Sequence, residues 1–239
     1  MANFEEQIKS AKLKAYSGPR KDYSNPKLAG FLSEKEIQSY QNNVLDCNVE
    51  TWYEFIKDFT FKTTFCPISE REAKLFIDVF ERIFRNKDSS EIGSIEWRSI
   101  LTEEEKDLLK SLESKIELSL KDYVVNGFAF VKTSSRSAKD APLVSKNFQS
   151  LYLDYLKKYP HDEQNLENNQ ITCLLKAAFD CLRVKSSQEV IEMFIKSERI
   201  YQDMLLALSN RERFRENFVI REFVDIEVDM EFRGTYSFF

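Results

Sequence analysis

Histidine is almost missing from this chain: His161 is the single one in 239 residues. It sits in the polar run "KYPHDEQNLENNQ", where a solvated ring is expected, which argues against catalysis by a His-dependent triad. Glycine is scarce too, at five residues. Neither common glycine-rich nucleotide loop occurs, and many helices with few tight hairpins are expected. The four cysteines, Cys47, Cys66, Cys173 and Cys181, show no close-paired spacing. With one histidine to join them they match no zinc pattern. Reduced, mostly buried thiols of a cytoplasmic protein are the expectation. No stretch approaches the roughly 20 apolar residues of a membrane span, and the start "MANFEEQIKS" lacks the basic and apolar regions of a secretory signal. A net charge of -5 speaks against bulk electrostatic binding to nucleic acid. A local basic loop can still hold a phosphorylated ligand.

What the chain does have is apolar material: 42% of its residues, with 20 phenylalanines, enough to bury a core in one large domain or two small ones. Helix starts are legible as Ser or Thr followed three places later by Glu, because hydroxyl and carboxylate each satisfy a free backbone N–H. The pairs are Ser33/Glu36, Thr51/Glu54, Ser69/Glu72, Thr102/Glu105 and Ser186/Glu189. From Ser69 to Arg85, Phe76, Val79, Phe80 and Ile83 fall at helical spacing. A second helix is expected from Thr102 to Asp122, with Leu109, Leu112, Ile116 and Leu120 aligned. A third pair spans Gln188–Leu208, broken near "KSER". Strand patterns occur in "FTFKTTF" (59–65), in "GFAFVKT", and in the tail "NFVIREFVDIEVDMEFRGTYSFF", which reads as two or three strands. The mixture makes an α+β or mixed α/β domain. Residues 1–44, with the turn-rich "SGPRKDYSNPK", form a helical N-terminal extension, and "RNKDSSEIGS" and "HDEQNLENNQ" are polar connectors.

One loop concentrates charge. In "FVKTSSRSAKDA" (130–141) an apolar strand runs into Lys132, Arg136 and Lys139, interleaved with Ser134, Ser135 and Ser137. These letters suit an anion cradle or an ordinary solvated turn. Point charge from Lys, a fork of donors from Arg and hydroxyl donors from Ser all suit phosphate oxygens.

Four stretches carry a resemblance. "CNVETWYEFIKDFTFKTTFCPIS" resembles the opening of the cell division cycle protein 123 family. "FVKTSSRSAKDA" is similar to its strand and loop, "LKAAFDCLRVKSSQEVIEMFIKSERIYQDM" to its helical insertion, and "NFVIREFVDIEVDMEFR" to the strands that follow. The matches fall in one order from about residue 46 to the last residue, within a domain taken as 45–239. The resemblance implies an ATP-grasp-like fold of two α+β lobes gripping ATP, and a role in assembling eukaryotic translation initiation factor 2 through its gamma subunit. By position, Lys132 would reach the ATP phosphates, and Ser135, Ser137 and Lys139 would line the loop over them. Arg221, Glu222 and Phe223 would lie beside the adenine, and Arg233, in "MEFRG", would approach the phosphates from the second lobe.

The departures from the family matter. Ala138 replaces a usual proline, and Phe223 stands where tryptophan is common. The family's acids and Asn for Mg²⁺ lie downstream of the Arg233 motif, past the last residue here, so a C-terminally incomplete fold that binds ATP poorly by itself is expected. Asp225, Glu227 and Asp229 read as solvent-facing strand residues rather than replacements. Three functions stand open: an ATP-binding assembly chaperone, monomeric and cytoplasmic, concerned with translation initiation and the cell cycle; an ATP-grasp-type ligase; and an interaction module that kept the fold and lost the nucleotide. The first is favoured, because the metal ligands and mobile phosphate loop of a ligase are not visible.

Overall fold

The structure, a computed structural model, describes residues 33–84, 96–125, 127–141, 146–158 and 166–226. The chain divides between Asn42 and Asn43, inside helix α1 (Glu34–Asp46), and the second unit holds every later element. After α1 come α2 (Val49–Ile56), a 3₁₀ turn (Lys57–Phe59), β1 (Thr63–Pro67), α3 (Glu70–Phe84) and a 3₁₀ turn (Trp97–Ile100). Then follow α4 (Glu103–Val124), β2 (Ala129–Thr133), α5 (Lys146–Lys158), α6 (Leu166–Asp180), β3 (Arg183–Val184), α7 (Ser187–Ile195) and α8 (Glu198–Ser209). A last 3₁₀ turn (Arg211–Arg213) leads to β4 (Asn217–Glu222). The architecture is α+β, with one antiparallel sheet ordered β1-β4-β2-β3 among the described residues. No described helix is long and apolar enough to cross a membrane.

Most helix starts follow the Ser/Thr–Glu reading. Thr102 accepts from the Glu105 N–H at 3.2 Å while the Glu105 carboxylate accepts from the Thr102 N–H at 2.8 Å. Ser69 and Glu72 do the same at the start of α3, at 3.3 and 2.6 Å. The expected break near "KSER" falls between α7 and α8, where the Ser197 hydroxyl accepts from the Ile200 N–H at 3.2 Å. Thr51/Glu54 is the exception. Helix α2 begins at Val49 with Asn48 before it, and Thr51 sits inside it, its hydroxyl donating to the Asn48 carbonyl at 2.6 Å. The N-terminal N–H of Val49 donates instead to the Ser134 carbonyl at 3.0 Å. A tertiary acceptor thus replaces the local cap.

Strand β1 also departs from expectation. Lys57–Phe59 is a 3₁₀ turn and the strand starts only at Thr63, leaving Phe59 90% exposed. The register explains the shift. Thr64 opposes Ile220 and Cys66 opposes Phe218, so small side chains, not the alternating phenylalanines, face the core. That face is already crowded: Phe76, Phe194 and Phe218 meet edge to face, with centroids 5.0 to 6.5 Å apart. Helices α3, α4, α7 and α8 cover this side through Val79, Leu112, Ile116, Ile191 and Met204, all in one cluster with Val131 and Ile220. Strand β3 is too short for periodicity to reveal.

Residues 227–239 lie outside the described part, and with them the strands expected after Glu222. Two truncations should separate core from surface. Phe218→Ala is expected to lower unfolding free energy by about 3–5 kcal/mol in urea titration, whereas Phe59→Ala should stay within about 0.5 kcal/mol.

Candidate functional site: a sheet face with two cations

Side chains alternate across a strand, and directly opposed residues of an antiparallel pair share a face. In β2, Ala129, Val131 and Thr133 are buried in the core, so Phe130 and Lys132 stand on the other side. Lys132 opposes Val219 and Phe130 opposes Arg221. Phe65 opposes Val219 and Thr63 opposes Arg221. The outer face therefore carries two cross-strand rows, Phe130–Arg221–Thr63 and Lys132–Val219–Phe65. Helix α2 lies over part of it, with Tyr53 edge-on to Phe65 at 5.4 Å. Glu222 opposes Ala129 and so falls on the opposite face from Lys132 and Arg221, where it is exposed.

Neither cation on this face has a carboxylate partner among the described residues. The Lys132 ammonium donates to two loop carbonyls, Ser134 O at 3.3 Å and Ser135 O at 3.2 Å. Arg221 donates from Nε to Thr63 Oγ1 at 3.0 Å and from Nη2 to Thr60 Oγ1 at 3.1 Å. Its guanidinium lies 6.0 Å from the Trp52 ring centroid and 5.8 Å from that of Phe61. Burial pushes the Lys132 ammonium down to about 8, and the Arg221 charge pushes the same way. Burial also lowers Arg221. Two partly desolvated cations on one face, with donors to spare, favour an anion.

The loop after β2 is built differently from a hydroxyl cradle. The Ser134 and Ser135 carbonyls face Lys132, while the Thr133 and Ser135 hydroxyls turn to a buried acid. The Ser135 hydroxyl donates to Asp203 Oδ2 at 2.7 Å, and the Thr133 hydroxyl also donates to Asp203. Arg136 Nε lies 3.2 Å from Asp203 Oδ1, close enough for an ion pair but outside hydrogen-bond direction. The Ser134 N–H donates to Glu216 Oε1 at 2.7 Å, and the Ser134 hydroxyl accepts from the Asn217 N–H at 3.0 Å. Burial raises Asp203, and burial pushes the Glu216 carboxyl up to about 8 against the Ser134 N–H. Asn48 Oδ1 and Glu50 Oε2 are buried with no hydrogen-bond partner.

The other expected site residues take several positions. Ser137 is buried, its backbone bridged to Lys132 and its carbonyl accepting from Arg199 Nε at 3.0 Å. Lys139 is exposed. Phe223 follows the end of β4. Its N–H donates to the Phe128 carbonyl at 3.0 Å, and its ring packs on Phe179 at 5.0 Å. Arg233, Glu227 and Asp229 lie outside the described residues, and Asp225 is exposed. Among the described residues no three His, Cys, Asp or Glu side chains form a group fit for a metal ion.

Asp203 and Glu216 escaped the sequence reading, yet one signal was present. Asp203 stands among Ile200, Met204 and Ala207, an acid on the apolar stripe of α8. An acid there must find buried donors or lose its charge.

The class of protein is thus an α+β domain with a cationic, partly roofed sheet face. No protein-family model matches the chain, and no curated protein matches it in sequence. Among solved structures, it is similar to Cdc123 from Schizosaccharomyces pombe, with a TM-score of 0.44 at 15% identity, covering 77% of this chain and 55% of that one. A C-terminally truncated Cdc123 from the same organism gives 0.44 at 16%, covering 78% of this chain and 56% of the other. The chain therefore spans little more than half the length of either.

The buried acid and lysine give opposite pH dependences. From the ordinary glutamate value of 4.5 up to about 8, the folded chain keeps a Glu216 proton that the unfolded chain releases, so stability falls as pH rises. From about 8 to 10.5 the unfolded chain keeps a Lys132 proton that the folded chain releases, so stability rises. Urea titrations across the lower window should show a decline that Glu216→Gln flattens. An equal slope in both proteins would mean that Glu216 is ionised throughout.

Proposed function

We propose that this chain is an ATP-binding protein that assists assembly of eukaryotic translation initiation factor 2 by engaging its gamma subunit, in the cytoplasm and in support of cell-cycle progression. The observation that carries the nucleotide part is the placing of Lys132 and Arg221 on one sheet face, neither of them in an ion pair with a carboxylate among the described residues. A triphosphate supplies the missing negative charge, and the unused Arg221 donors suit its oxygens. The rings of Trp52 and Phe61 flank the same guanidinium and offer apolar surface for a base. The Ser135 hydroxyl is committed to Asp203, so the phosphate contact falls to Lys132 and Arg221 rather than to the serines. The chaperone part is supported by the motif resemblance and by the exposed aromatic residues at the end of α2 and just after it.

Calorimetric titration with ATP tests the first part. Lys132→Ala and Arg221→Ala should each weaken binding about tenfold or more, the loss of one charge-assisted hydrogen bond. Affinity unchanged in both variants would remove the nucleotide from this face.

The partner contact has its own test. Phe55 is 83% and Phe59 90% exposed, with Ile56 and Phe61 beside them, an apolar patch of the kind that marks interaction surfaces. Immobilised gamma subunit should retain the wild-type chain and lose the Phe55→Ala/Phe59→Ala double variant at unchanged helix content. Equal retention of the two would place the contact elsewhere.

A further inference from the structure

The loop of residues 133–141 is fastened to helix α8 along its whole length. Asp140 accepts from the Ser197 hydroxyl at 2.5 Å and from the Arg199 N–H at 3.1 Å, at the start of the helix. Arg199 reaches back to the Ser137 carbonyl at 3.0 Å. One turn further along α8, Asp203 gathers Thr133, Ser135 and Arg136. The turn itself closes through the Thr133 N–H, which donates to the Arg136 carbonyl at 2.8 Å. In this arrangement the Ser134 and Ser135 carbonyls point at the Lys132 ammonium. Asp203 is 3% exposed and sits on the packed side of α8, so it does not reach the open sheet face. Its hydrogen bonds go to the loop.

We infer that Asp203 is a positioning residue: by holding residues 133–136 in their turn it aims the carbonyls that grip Lys132, and so fixes where that ammonium meets a polyphosphate. The last step rests on the reading of Lys132 as a phosphate partner. The first step does not.

Position and charge make opposite demands on the lysine, which makes the inference testable. The groups whose charges act on Lys132 are Arg221 from β4, Asp203 from α8, Glu216 just before β4 and Glu50 from α2. If Asp203 acts only through its negative charge, replacing it by Asn leaves Lys132 in place with one fewer nearby anion, and its titration moves down. If Asp203 holds the loop, the variant frees the ammonium from its buried position, and its titration moves up from about 8 towards the ordinary 10.5.

The experiment follows the Lys132 Cε resonance by NMR against pH in the whole chain, alongside titration with ATP. Asp203→Asn is expected to raise the Lys132 titration and weaken ATP about tenfold, a change of about 1.4 kcal/mol. Ser135→Ala, which leaves the carboxylate and the core intact, should raise it less. That variant decides the matter if Asp203→Asn loses the fold. A Lys132 titration that stays put or moves down in the variants overturns the positioning role. A wild-type chain that ignores ATP overturns the nucleotide reading alone, because the lysine titration still reports on the loop.

Discussion

Strand β4 has to satisfy two neighbours at once. Pairing with β1 on one side and β2 on the other leaves it no freedom to slip, because a one-residue shift would turn Phe218 and Ile220 out of the core and Arg221 into it. Phe218, Val219 and Ile220 are fully buried, so both sides of the middle of the sheet are covered, one by α3, α4, α7 and α8 and the other in part by α2. That register is what puts Arg221 next to the Lys132 row. Every feature of the cationic face follows from it: the threonine acceptors from β1 and the turn before it, the rings of Trp52 and Phe61, and the absence of an acid within the two rows.

The charges near Lys132 are arranged in layers rather than in pairs. Asp203 and Glu216 lie on the inner side of the loop and take its hydroxyls and an N–H, while the loop's carbonyls take the ammonium. A buried carboxylate is costly unless donors surround it, and here the donors are consecutive residues, Thr133, Ser134 and Ser135. This explains how a loop with no glycine holds a tight turn. Its backbone is fixed by side chains from α8 and from the approach to β4 rather than by conformational freedom. The cationic outer face is the counterpart of that arrangement, since the hydrogen bonds of the acids go to the loop and those of the Lys132 ammonium go to carbonyls, while Asp203, Glu216 and Glu50 reach it only through their charge.

Much of the helical framework could be read from the chain. The Ser69/Glu72 and Thr102/Glu105 pairs mark real helix starts because the capping exchange is local, and the stripe through Phe76, Val79 and Ile83 reports a face that tertiary packing does use. What escaped was set by distant partners. Val49 finds its acceptor in Ser134, which makes Thr51 an interior residue instead of a cap. The two residues of β3 exist only because β2 offers an edge. Lys132 and Arg221 were legible as charged residues of two strand patterns, but their shared face depends on a pairing register that no single strand contains. Ser135 read as a phosphate donor, whereas its hydroxyl donates to Asp203, and composition cannot say which way a hydroxyl points. Asp203 was the reverse case, a polar residue in an apolar stripe, whose meaning depends on a loop more than 60 positions earlier.

The misread strand ties the two proposed surfaces together. Had 59–65 continued as a strand, Thr60 would have alternated with Phe59 and Phe61 along one line, and its hydroxyl would not have been carried to Arg221. The 3₁₀ turn at Lys57–Phe59 ends α2, exposes Phe59, and bends the chain so that Thr60 and Thr63 both accept from one guanidinium. Arg221 therefore anchors the base of the segment whose tip carries the exposed phenylalanines. An anion that drew the guanidinium away from these hydroxyls would loosen that anchor, and a partner that clamped the aromatic segment would hold the guanidinium in place.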